Sequence, residues 1–283
     1  MEKTAFIINP FSAKKNHKPF LDSLLKRVPN ALYYISESIE GTEQFIKNNM
    51  EHIETFVAVG GDGTISNMAK SIINTDKILG IFPAGSGNGF SNETNFSKDI
   101  DQLLDKIKAN KTRKIDTLMI NDKFSINVSG TGFDGEVTKE FEKTSRGFLN
   151  YIKVSIKTFF SYKPIRADFK TAAFKPYSGE YLMLNFANTR QFGNNAYIAP
   201  QASKSDGKVD IVLVKKFPIY YSPLFAIRMF TKKLKSDRYI TFLQASEVEF
   251  SVNTENWHID GEYNKLPSPI KIKVLPKSLR ILI

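Results

Sequence analysis

The sequence predicts two domains, a mostly parallel α/β unit followed by a β-rich unit. Three observations carry that expectation. The chain has 283 residues, more than one small core needs, and to about residue 120 short apolar runs alternate with amphipathic segments. Beyond Lys114 strand-like runs follow each other with little between them.

In order, "TAFIIN", "ALYYIS", "TFVAVGG" and "ILGIFPAG" read as strands, and "HKPFLDSLLKRV", "TEQFIKNNM", "TISNMAKSIIN" and "DIDQLLDKIKA" as the helices between them. "KIDTLMI" and "KFSINVSG", separated by Asn121-Asp122, predict a hairpin. The runs "YLMLNFAN", "AYIAP", "KVDIVLVKK", "EVEFSVN", "WHIDGE" and "IKIKVLP" extend the β-rich part. Two helical insertions interrupt it, about Val137–Phe160 and Tyr221–Lys235. The expected division is residues 1–124 and 125–273, with the last strand, about 274–283, returning to the first domain.

Hydrophobic residues make up 41% and charged residues 24%, a globular balance that excludes disorder. There is no Cys, which excludes disulfides, thiolate metal sites and a cysteine nucleophile. The opening "MEKTAFIINPF" lacks the pattern of a signal peptide, and Pro223 and Arg228 interrupt the apolar window 217–230, so no spanning helix is expected. Forty Lys and Arg against 29 Asp and Glu give a net charge of +11, a field that draws anions.

Three loops carry the chemistry. "TFVAV" runs into Gly60-Gly61-Asp62-Gly63-Thr64 and then a helical start, a turn that serves either as a capped bend or as a cradle of bare backbone amides for phosphate. "GIFPAGSGNGFSNE" repeats the arrangement, and two such loops on neighbouring parallel strands face one crevice. "INPFSAKK" offers a third wall.

With these in view the chain resembles the diacylglycerol kinase and sphingosine kinase catalytic family, its bacterial soluble lipid kinases most of all. The resemblance rests on "NPFSAKK", "GGDGTISN", "PAGSGNG", "KID", "GTGFDGE", "SDGKVDIVLV" and "HIDGE", in that order along nearly the whole chain. It implies a Rossmann-like, NAD kinase/phosphofructokinase-like nucleotide-binding α/β domain and a β-sandwich second domain. It implies ATP bound by Asn9, Pro10, Phe11, Ser12, Ala13, Gly60, Gly61, Asp62, Gly63, Thr64, Asn67 and Ser86, with Ser36 or Ser38 nearby. It implies Glu262 as proton acceptor with Asp260 beside it, and Asp62 and Asp116 in a water and Mg²⁺ network. A structural metal would fall on Ser203, Asp206 and Lys208. Which of Glu262 and Asp260 faces the alcohol stays open.

The chain departs from the family at Ala13, where many members have glycine, and in Gly85-Ser86-Gly87-Asn88-Gly89, which is closer to the sphingosine and ceramide kinase pattern. The resemblance implies a lipid hydroxyl as acceptor, of diacylglycerol or sphingoid and ceramide type, and the departures leave open which. The expected setting is cytoplasmic with peripheral contact to an anionic membrane, and a homodimer is an arrangement the sequence allows. The runs 146–166 and 216–235, basic and aromatic, suit a bilayer surface or equally a face packed on the β domain. No nucleic-acid module is present. The rival readings are an NAD kinase relative acting on a soluble substrate and a nucleotide-sensing membrane module without catalysis.

Overall fold

The computed structural model describes residues 2–12, 16–85, 87–144 and 148–283, with the backbone alone at 148 and 149. It divides into two units, Met1–Asp116 with Pro276–Ile283, and Thr117–Leu275.

The first unit contains β1 (Thr4–Ile8), α1 (Lys18–Arg27), β2 (Leu32–Ile35), α2 (Ile39–Asn48), β3 (Thr55–Gly60), α3 (Asp62–Ile72), β4 (Ile78–Pro83), α4 (Gly89–Glu93), α5 (Ile100–Ala109) and the start of β5 (Thr112–Ile120). The strands lie parallel in the order β2-β1-β3-β4. Every residue of β1 and β3 is buried, which is why these strands read as unbroken apolar runs rather than alternating ones. The helices between them carry their own start signals. Ser38 Oγ accepts from Gly41 N at the head of α2, and Asp99 caps α5 through the amides of Asp101 and Gln102. The end of the chain returns here, with Arg280 and Ile281 pairing parallel to Ile78 and Leu79.

The second unit holds β6 (Lys123–Ser125), β7 (Val128–Gly132), α6 (Phe133–Glu142), α7 (Phe148–Ser161), β8 (Ile165–Phe169), β9 (Gly179–Tyr181), β10 (Met183–Ala187), β11 (Val209–Val214), α8 (Ser222–Phe230), β12 (Ile240–Ala245), β13 (Glu247–Val252), β14 (Asn256–Ile259), β15 (Glu262–Lys265) and the first part of β16 (Ile270–Leu282). An antiparallel sheet runs β12-β11-β10-β7-β14-β15. Facing it, β13 pairs antiparallel with both β16 and β8, and β8 with β9. One core fills the space between these sheets. Phe186 stacks on Phe250 at 5.3 Å and on Trp257 at 5.9 Å, with Ile211, Leu213, Val248 and Ile272 around them. The outer face of the six-stranded sheet is covered by Phe159 of α7 and by Phe217 and Phe225 at α8.

The Asn121-Asp122 hairpin forms, with Ile120 paired to Lys123 and Asn121 in the left-handed region at φ 52°. Three sequence expectations need correction. "AYIAP" makes no strand: Tyr197 bridges only to Gln191, and its amide goes to Met229 O rather than into a ladder. The first helical insertion is two helices, α6 starting four residues early behind Gly132 at φ 100°. The second stops at Phe230 because Lys232 takes a left-handed conformation, φ 61°. Among the described residues no helix is long and apolar enough to cross a membrane.

Phe250 lies at the centre of the aromatic stack and is fully buried. Phe250→Ala should lower the unfolding free energy by about 3–5 kcal/mol, read by chemical denaturation, and a loss under 1 kcal/mol would show that the two sheets do not share this core.

Candidate active site

In the first unit three loops at the carboxyl ends of β1, β3 and β4 are drawn together by named contacts, where ligands of parallel α/β sheets bind. Asn9 follows β1; its side-chain oxygen accepts from Phe11 N at 2.9 Å and its amide donates to Thr64 Oγ1 at 2.8 Å. The other two loops meet backbone to backbone at glycines. A Cβ on Gly85 would stand 2.6 Å from Gly61 Cα, so Gly85 has no room for a side chain at this crossing, and one on Gly61 would lie a tight 3.2 Å from Gly85 Cα. Asp62 supplies the third tie. Its carboxylate accepts from Gly89 N at 3.0 Å and Phe90 N at 3.2 Å, holding the first turn of α4 against the head of α3.

Asp62 therefore fastens one glycine loop to the next. Thr64 and Asn67 lie on α3 behind it, with Gly60 packed so closely on Thr64 that a Cβ there would clash at 2.5 Å. Phe11 is 70% exposed, and Ser12 N donates to Asn9 O. Ser36 Oγ contacts Thr42 Oγ1, while Ser38 is spent on capping α2. Ala13 and Ser86 lie outside the described residues. Asp116 is fully buried on β5, and its Oδ1 accepts from Lys277 N at 2.7 Å.

The second unit separates the two C-terminal acids that the sequence left equivalent. Asp260 and Gly261 form a two-residue turn between β14 and β15, both with positive φ, 51° and 90°. The Asp260 carboxylate is turned inward and accepts from Ser125 Oγ at 2.7 Å, Asn127 N at 2.9 Å and Ile126 N at 3.0 Å. Three donors thus commit this carboxylate to the scaffold around residues 125–127. Glu262, the first residue of β15, is exposed.

A cluster that sequence reasoning did not assemble lies in the same unit. Asn185 on β10, Gly130 on β7 and His258 on β14 are direct neighbours across three strands. Asp134, in the first turn of α6, reaches His258 Nε2 at 3.2 Å. Asp134 Oδ2 and Asn185 Oδ1 would both clash with a Cβ on Gly130, and Asn185 is fully buried with no protein hydrogen bond to either side-chain polar atom. The glycines of "GTGFDGE" were the available signal; the pairing itself spans 124 residues of chain.

Ser203, Asp206 and Lys208 occupy one loop ahead of β11, where Asp206 Oδ1 accepts from Lys208 N. Asp210, two residues on, is buried, with Oδ1 bonded to Gln244 and Oδ2 without a partner. Burial first, and the charge of Asp206 second, push the Asp210 carboxyl up to about 6. Carboxylate, hydroxyl and backbone-carbonyl oxygens of this loop would suit a hard divalent cation, the Lys208 position then offering its carbonyl and not its ammonium. Among the described residues no three His, Asp or Glu side chains converge as ligands.

A glycine-cradled parallel α/β unit, followed along the chain by an antiparallel β-sandwich that carries acids, defines a two-unit kinase. The chain belongs to the diacylglycerol kinase/YegS family of lipid kinases. Residues 3–120 match the diacylglycerol kinase catalytic domain, and residues 127–283 the YegS C-terminal NAD kinase beta sandwich-like domain. Among its relatives, "Diacylglycerol kinase" of Bacillus subtilis is 26% identical over 93% of this chain and 90% of its own length. "Probable lipid kinase YegS" of Salmonella arizonae is 26% identical over 81% of this chain and 77% of its own. A crystal structure titled as a diacylglycerol kinase from Bacillus anthracis str. Sterne shares the fold, with a TM-score of 0.75 at 18% identity, covering 99% of this chain and 96% of that one.

The geometry separates Asp260 and Glu262 experimentally. Asp260→Ala should cost roughly 3 kcal/mol of stability, because two buried amides lose a charged acceptor. Glu262→Gln, on an exposed side chain, should stay within about 0.5 kcal/mol in the same denaturation assay. Equal losses would remove the distinction.

Proposed function

We propose that the protein transfers the γ-phosphate of ATP to a lipid hydroxyl, of diacylglycerol or sphingoid and ceramide type, working against an anionic membrane. The observation that carries this reading is the convergence of Asn9, Gly61, Asp62 and Gly85 at the carboxyl ends of parallel strands in a member of a lipid kinase family. Phosphoryl transfer needs little covalent help from protein: it needs the phosphates cradled, their charge offset and the acceptor deprotonated as bonding develops. Backbone amides of the glycine loops and the head of α3 serve the first need. Mg²⁺, when bound, offsets charge on the phosphates, and Asp62 and Asp116 are the acids assigned to hold it through water. Glu262 is the proton acceptor in this reading, since its carboxylate is exposed while that of Asp260 is committed to amides.

Purified protein with Mg²⁺ and labelled ATP should label at least one member of a panel of diacylglycerols, sphingoid bases, ceramides and bacterial lipids dispersed in detergent. Transfer to none of them sinks the reading, and transfer to NAD in a parallel tube would replace it with the NAD kinase alternative. In the active assay Glu262→Gln should reduce kcat by at least ~100-fold. Nucleotide affinity should stay within about tenfold, or ~1.4 kcal/mol. Unchanged turnover would move the base elsewhere.

The loop at Asp206 is the proposed structural cation site. Millimolar Mg²⁺ should raise the melting midpoint of the wild type by a few degrees, as mass action on a folded-state site requires, and should leave Asp206→Asn unshifted. Equal shifts in both proteins would place the cation elsewhere.

A further inference from the structure

From Lys215 to Ser236 the chain has six cations and no Asp or Glu. Helix α8 lies within this stretch and is apolar on both sides. Tyr221 and Phe225 point inward and are buried in the core over the six-stranded sheet. On the outer side Tyr220, Leu224 and Ile227, spaced as one helical stripe, are 71%, 42% and 60% exposed, and Ile219 beside them is 51% exposed. A surface helix ordinarily turns its polar residues outward, so a doubly apolar one marks a face that is covered in use.

At the carboxyl end of α8 an open cavity of about 500 Å³ is lined by Arg228, Lys233, Leu234 and Lys235. The Arg228 guanidinium is anchored by Asp237 at 2.8 Å, and Asp237 is also bonded by the Tyr221 hydroxyl. The nearest acid is thus already neutralised, and the two lysines are left to face an anion.

We propose that this face docks on an anionic bilayer, with Tyr220, Leu224 and Ile227 entering the headgroup and acyl boundary and Lys233 and Lys235 meeting lipid phosphates. Charge selects this occupant. A second copy of the chain would set the same cations against each other across a symmetric contact, whereas an anionic surface complements them. The proposal rests on the lipid kinase reading for its use, but it is tested without turnover.

The full chain, without ATP, is sedimented with vesicles of phosphatidylcholine alone or mixed with phosphatidylglycerol. Binding should require the anionic lipid and weaken with salt. Leu224→Ser with Ile227→Ser should reduce the partition coefficient at least ~tenfold by removing inserted apolar area, and Lys233→Glu with Lys235→Glu should abolish the preference for anionic vesicles. The single change Tyr220→Ser keeps the test open if the double serine variant does not fold. The docking proposal is overturned if the wild type stays in solution or if the serine variants sediment like it. It is equally overturned if those variants instead convert a dimer to a monomer. Transfer to detergent-dispersed lipid should be the same in wild type and surface variants. Loss of transfer in the wild type there counts against the kinase reading alone.

Discussion

Backbone amides at strand ends and helix heads must find acceptors, and in this protein carboxylates supply them at several places where loops are assembled, three of which tie distant segments together. Asp62 takes the amides of Gly89 and Phe90, Asp116 that of Lys277, and Asp260 those of Ile126 and Asn127. A charged acceptor is stronger than a neutral one, and removing it strands buried donors at their full desolvation cost. The glycine crossing at Gly61 and Gly85 depends on the first of these ties, because close backbone approach leaves no side chain to hold the loops together. The returning end of the chain depends on the second, and the hairpin that presents Glu262 on the third.

Much of this was legible in the sequence. Apolar runs with helical periods between them gave the parallel unit, and the Asn121-Asp122 signal gave the hairpin that opens the second unit, since these are local patterns. The motifs in order gave the family, which the two domain matches then established. What stayed hidden is non-local. The partners of the Asp62 carboxylate are 27 and 28 residues away and those of Asp260 more than 130, so no spacing rule predicts them. The same holds for Asp134 with His258, and for the meeting of both with Asn185 over Gly130.

The residues alone left open which of Asp260 and Glu262 faces outward, and the turn at Asp260 and Gly261 separates them. Asp is one of the few residues other than Gly that enters the left-handed region at modest cost, and Gly261 completes a turn whose twist matches its strands. Ile259 pairs with Glu262 across it, so the turn residues are pinned from both strands. Asp260 is thereby directed inward to the amides of 126 and 127, and Glu262 begins the next strand as an exposed residue.

This division of labour suits phosphoryl transfer. A group that accepts a proton during each turnover changes its charge, and a carboxylate serving as the only charged acceptor for buried amides would loosen its own scaffold whenever it did so. In the proposed mechanism, a base two residues beyond the structural acid would separate the two tasks. In the proposed reaction the hairpin would keep its geometry while Glu262 took up the proton. The tight turn also limits how far the Glu262 side chain can wander, which is what orientation would demand of it in the proposed role as a base.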